Sequence, residues 1–126
     1  MPQERRHIDQ LPADHRRVSN GYVFLGIDDN GVEFELRVQS QRRHLSSSGV
    51  VKAQIRSMSR GRPLMPSDLY EDVTVIALFV DGRSRLDIHI NPNGTYSVGP
   101  RTGRTLKEIV GKLLQHHAPS RQSPTP

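Results

Sequence analysis

The stretch "YVFLGIDDNGVEFELRV", residues 22–38, constrains the fold more than any other part of the chain. Two apolar runs flank Asp29-Asn30-Gly31, and Asn-Gly is the strongest short-range hairpin signal because both residues tolerate positive φ. The second arm alternates, with Val32, Phe34, Leu36 and Val38 on one face and Glu33, Glu35 and Arg37 on the other. A period of two with one apolar face is a half-buried strand. The first arm is apolar on both faces, Tyr22 and Phe24 on one, Val23, Leu25 and Ile27 on the other.

More strands follow. "VTVIALFV", residues 73–80, is apolar on both sides, and Asp81-Gly82 turns the chain into "SRLDIHI", with Leu86, Ile88 and Ile90 inward and Arg85, Asp87 and His89 outward. "NPNG" turns it again into the short strand "TYSV". Thr105 then opens a helix. Thr105 and Glu108 have the spacing of a capping box, and Leu106, Ile109, Val110, Leu113 and Leu114 form one apolar stripe behind it, ending at or before Pro119. The segment "SSSGVVKAQIRSMSRGR" is ambiguous. Val51, Ala53 and Ile55 alternate with Lys52, Gln54 and Arg56, but Val51, Ile55 and Met58 also share a helical face. The Val-Val opening after a serine-glycine turn inclines the reading of 50–59 towards a strand.

These elements predict an α+β domain: a single antiparallel sheet of five or six strands with the C-terminal amphipathic helix packed on one face. The domain occupies residues 20–117, between a disordered basic arm at 1–19, which holds proline, charge and few apolar anchors, and a disordered tail at 118–126, which is rich in proline and serine. One helix covers only one face of a sheet that has strands apolar on both. The second face therefore calls for residues 50–59 as a helix, a second copy of the chain, or a protein partner.

With 126 residues and 33% hydrophobic content, the core is modest. No cysteine is present, which excludes disulfides and thiolate-held zinc, and no apolar run approaches the roughly 20 residues of a membrane helix. The N-terminal stretch is basic and lacks the apolar segment of a secretory signal. The expected setting is the cytoplasm, or the nucleus of a cell or host that has one, with no membrane insertion.

Charge is segregated. Residues 36–67 contain Arg37, Arg42, Arg43, Lys52, Arg56, Arg60 and Arg62 with no carboxylate, directly after an acidic run of Asp28, Asp29, Glu33 and Glu35. Arginine dominates lysine, and its planar fork of donors suits phosphate and carboxylate. Segregated charge steers a charged partner. The function predicted is that of a small non-enzymatic accessory or regulatory protein binding nucleic acid, DNA or RNA, or another polyanion through Arg42, Arg43, Lys52, Arg56, Arg60 and Arg62. No aromatic interleaves with these arginines in sequence, so phosphate contact without base stacking is expected. "GPRTGRT", residues 99–105, sets Arg101 and Arg104 at a helix start, where anions are favoured, and makes them secondary contacts, with Gly103 admitting the anion to the backbone. It is not a P-loop, being one residue short and lacking the lysine. The competing reading is a self-associating protein–protein interaction module without nucleic-acid binding.

Catalytic signals are thin. Asp87 with His89, Glu33 with Glu35, and His116 with His117 are pairs that polar strand faces and a helix C-terminus explain equally well. No catalytic residue, metal ligand or cofactor is expected. "DIHINPNGTYSV" with "TLKEIVGKLLQHH" is loosely similar to the last strands and final helix of SH2 domains. Such domains carry their phosphotyrosine-binding arginine on an early strand, where this chain has Gly26, so no role is carried over from them.

Overall fold

A computed structural model describes residues 4–121. The strands are β1 (Arg6–His7), β2 (Tyr22–Ile27), β3 (Glu33–His44), β4 (Tyr70–Val80), β5 (Ser84–Ile90), β6 (Tyr96–Val98) and β7 (Arg101–Gly103). The helices are α1 (Ser47–Arg60) and α2 (Leu106–Arg121), with three short 3-10 turns at Ile8–Gln10, His15–Arg17 and Pro66–Leu69. The strands form one seven-stranded sheet in chain order. β1 runs parallel to β2, while the β2–β3, β4–β5, β5–β6 and β6–β7 pairs are antiparallel. The α+β class and the C-terminal helix are as expected, whereas the sheet is mixed rather than antiparallel and has seven strands instead of five or six. The two extra strands are the two- and three-residue β1 and β7, too short to give a periodic signal.

By contacts the chain divides into two units, Met1–Gln39 with Val75–Pro126, and Ser40–Thr74. The larger unit holds the core. The predicted hairpin pairs Ile27 with Glu33 and Tyr22 with Val38, and the Asp28 carboxylate accepts the Asn30 and Val32 N–H groups across its loop. Phe24, Phe34, Leu36, Ile76, Leu78 and Val80 are buried together with Leu106, Ile109, Val110 and Leu114 of α2. Gly26 faces the same core, and β7 reaches α2 at Gly103, where a Cβ would lie 2.7 Å from Ile109 N. Gly103 therefore serves a close strand–helix approach, where the sequence suggested access for an anion.

The other sheet face is partly covered by the chain's own arginines. Arg37 and Arg85 lay their guanidinium groups over the Phe79 ring, at 5.1 and 5.6 Å from its centroid, and pair with Glu35 and Asp87. Long cationic side chains shield apolar surface in this way while their heads stay wet. Val23, on the same strand as Phe24, remains half-exposed.

Residues 6–17, which composition alone reads as part of an arm, carry β1 and two 3-10 turns, and bury Ile8 and Leu11. Leu106 N–H donates to Ala13 O (2.9 Å), Lys107 pairs with Asp9 (2.7 Å), and the buried Tyr96 hydroxyl accepts from His15 N–H (3.0 Å). At the other end α2 continues to Arg121, past Pro119. A proline within a helix removes one main-chain donor without abolishing the remaining bonds. Residues 122–126 of the predicted tail lie outside the described residues.

Three carboxylates in this unit are held below their ordinary range. The Arg16 guanidinium depresses Asp14, the Lys107 ammonium depresses Asp9, and the Arg104 backbone N–H, helped by Lys112, depresses Glu108. A depressed carboxylate stabilises the folded state above its unfolded pKa, and that stabilisation is lost as pH falls through the folded value. The unfolding temperature is therefore expected to be level down to about pH 5 and to fall below about pH 4. Thermal melts followed by circular dichroism check this. The Asp14→Asn chain should show a shallower acid limb, and identical limbs would refute the assignment.

Candidate nucleic-acid interface

The predicted cationic residues fall into both units, and six of them share Ser40–Thr74. The segment 50–59 is helical, against the strand reading. Its limits explain why. Ser46 is the N-cap, its hydroxyl accepting the Gly49 N–H (3.2 Å), and Gly61 closes the helix in the left-handed region at φ 65. Gly61 N–H bonds Met58 O and Arg62 N–H bonds Ser57 O, the paired closure that a glycine after the last turn favours. The serine-glycine run read as a turn before a strand is thus the first turn of α1.

Helical spacing puts Lys52, Arg56 and Arg60 along one side, four residues apart, and all three are exposed. The main-chain closure at Gly61 turns Arg62 back beside them. Arg56, Arg60 and Arg62 line a cleft of about 170 Å³ together with Ala53, Ser57 and Asp68. Asp68 brings the cleft's one carboxylate, 3.9 Å from Arg62 and also accepting the Met65 N–H that starts the Pro66–Leu69 turn. Three guanidinium groups against one committed carboxylate leave a net positive cavity large enough for a phosphate group.

On β3, Arg42 and Arg43 are exposed. Arg42 lies over the Tyr70 ring at 5.4 Å from its centroid, and the His44 ring meets Tyr70 edge-on at 5.2 Å. Tyr70 is thus an aromatic beside these cations, although none interleaves with them in sequence. It stands 28 positions from Arg42, so only the return of the chain on β4, the neighbour of β3, brings the two together. Ser57 and Asp68 were likewise missed, being ordinary until the cleft is formed.

Among the described residues, Arg42, Arg43, Lys52, Arg56 and Arg60 have no ion pair, and Arg62 has only the long contact to Asp68. Arg101 and Arg104 belong to the larger unit. Arg101 Nη2 donates to His116 Nδ1 (2.7 Å). The adjoining helix start is served by the chain itself: Glu108 accepts the Arg104 N–H (2.7 Å), Thr105 Oγ1 accepts the Glu108 N–H (3.1 Å), and Ala13 takes the Leu106 N–H. The threonine half of the expected capping box is present, whereas the Glu108 carboxylate reaches past Thr105 to the Arg104 N–H.

The acid–base candidates are engaged elsewhere: Asp87 with Arg85 (3.0 Å), Glu33 with Arg5 (2.7 Å) and Glu35 with Arg37. Among the described residues no group of three or more His, Cys, Asp or Glu is placed to hold a metal ion. No helix among them is long and apolar enough to cross a membrane. No protein-family model, curated protein or solved structure matches the chain.

Proposed function

We propose that this is a non-enzymatic accessory or regulatory protein that binds nucleic acid or another polyanion through Arg42, Arg43, Lys52, Arg56, Arg60 and Arg62, with Arg101 and Arg104 as secondary contacts. The observation that carries the reading is the cleft of Arg56, Arg60 and Arg62, within a unit whose other cations have no ion pair among the described residues. Unpaired guanidinium groups keep their donors for phosphate oxygens, and each phosphate engaged releases condensed counterions. Half-exposed Tyr70 adds a π-face beside Arg42 and His44, so a single strand gains a stacking contact that a paired duplex withholds.

A mobility-shift titration with single-stranded and duplex oligonucleotides at low and moderate salt tests this. If four phosphates are engaged, affinity should fall about 100-fold between roughly 50 and 200 mM salt, and the Arg42→Glu, Arg43→Glu double variant should bind more weakly at both. Absence of binding at either salt concentration would overturn the proposal.

A further inference from the structure

Among the described residues of Ser40–Thr74, Ala53 alone is buried, yet the unit displays five of the six large hydrophobic residues that the described chain exposes. Val51, Ile55 and Met58 of α1 are 52%, 57% and 81% exposed, and Met65 and Tyr70 follow at 53% and 45%. Single exposed apolar residues are ordinary, but such a concentration marks an interaction surface. Val51, Ile55 and Met58 stand four and three residues apart, so they form one stripe along the helix. The stripe runs into a groove of about 390 Å³ bordered by Gln54, Met58, Pro63 and Leu64, with Arg62 at its edge. Neither feature has a role in binding phosphate.

We infer that the α1 stripe and the groove at its C-terminal end dock an acidic amphipathic segment of a partner protein. Charge selects the occupant. α1 contains no carboxylate, and residues 36–67 contain none; among the described residues Lys52 beside Val51 has no ion pair, and Arg62 at the groove has only the long 3.9 Å contact to Asp68. A second copy would bring the same cations against them. A segment with Asp or Glu flanking its apolar residues meets them with opposite charge. The open groove gives a large side chain of such a segment a seat beside Met58, whereas a lipid surface would take up the protruding Met58 itself, an outcome that the vesicle measurement below detects. Arg56 and Arg60 line the phosphate-sized cleft, while Met58 lines the groove; Ser57 and Arg62 border both. The two surfaces are therefore neighbours that can be altered separately, and this inference does not depend on the polyanion reading.

The test is a displayed library of random 14-residue peptides selected against the full chain, followed by fluorescence-anisotropy titration of the enriched peptides. Enrichment of sequences combining spaced large apolar residues with Asp or Glu is expected. Ile55→Ser and Met58→Ser should each weaken their binding at least 10-fold and leave oligonucleotide binding unchanged, while Lys52→Glu should weaken peptide binding too. Both altered apolar positions are solvent-facing, and unchanged circular-dichroism melts would show that the variants fold. Failure to enrich any peptide, enrichment of basic or uncharged ones, or indifference to Met58→Ser would overturn the inference. So would a native dimer that Ile55→Ser dissociates in light scattering, or binding to phosphatidylglycerol vesicles that Met58→Ser abolishes, since a second copy or a lipid surface would then be the occupant.

Discussion

Alanine at position 26 is expected to lower the unfolding temperature by roughly 15 °C. Gly26 lies on β2 opposite Phe34, and the Phe24 and Phe34 rings stack beside it with centroids 5.9 Å apart. A Cβ there would sit 2.2 Å from Phe34 Cζ and 2.7 Å from Phe24 Cε1, well inside any tolerable contact. Both rings are about 1% exposed and have no room to withdraw. One carbon atom thus forces apart the aromatic pair on which the hairpin packs, and overpacking of this kind costs about 3 kcal/mol. Thermal melts of Gly26→Ala check the effect. The double variant Gly26→Ala, Phe34→Leu removes the ring that the new methyl strikes, so it should recover part of the loss. An alanine variant melting within a few degrees of the native chain would show that the core is looser than these contacts require.

Reversing the cleft should have the largest effect on binding. Arg56→Glu with Arg60→Glu removes two cations and adds two carboxylates beside Asp68, so a net positive cavity becomes a negative one. Oligonucleotide affinity at low salt is expected to drop by about two orders of magnitude or more, and the salt dependence should flatten by at least the two lost phosphate contacts. Both side chains are exposed and neither has an ion pair among the described residues, so stability should change little. Loss of affinity without flattening would mean that the arginines act through something other than phosphate. Unchanged affinity would remove the cleft from the proposal.

How much of this was legible beforehand depended on whether a signal was local. The hairpin at Asp29-Asn30-Gly31, the inward set Leu86, Ile88 and Ile90, and the Thr105 cap of α2 each depend on neighbours within a few residues, and the structure has them as expected. α1 was misread because Val51, Ala53 and Ile55 satisfy a strand's period while Val51, Ile55 and Met58 satisfy a helix's. Its caps, Ser46 and Gly61, carried the deciding information, and period alone did not weigh them. Contacts over long separations were beyond reach. Nothing near Phe79 announces the guanidinium groups of Arg37 and Arg85, nothing near Arg42 announces Tyr70, and Gly103 reveals Ile109 only once β7 meets α2. The cationic block was visible as composition, but the cleft within it required the return of Arg62 and Asp68 to the side of α1.

The chain departs for Ser40–Thr74 along β3 and comes home along β4, its immediate neighbour in the sheet. Exit and entry at adjacent positions make that excursion an insertion in the topological sense. A tight turn could in principle join the two strands in its place, while the buried residues of the larger unit keep their order and register. Changes in the length or charge of the excursion would then leave the buried packing of the larger unit as it is.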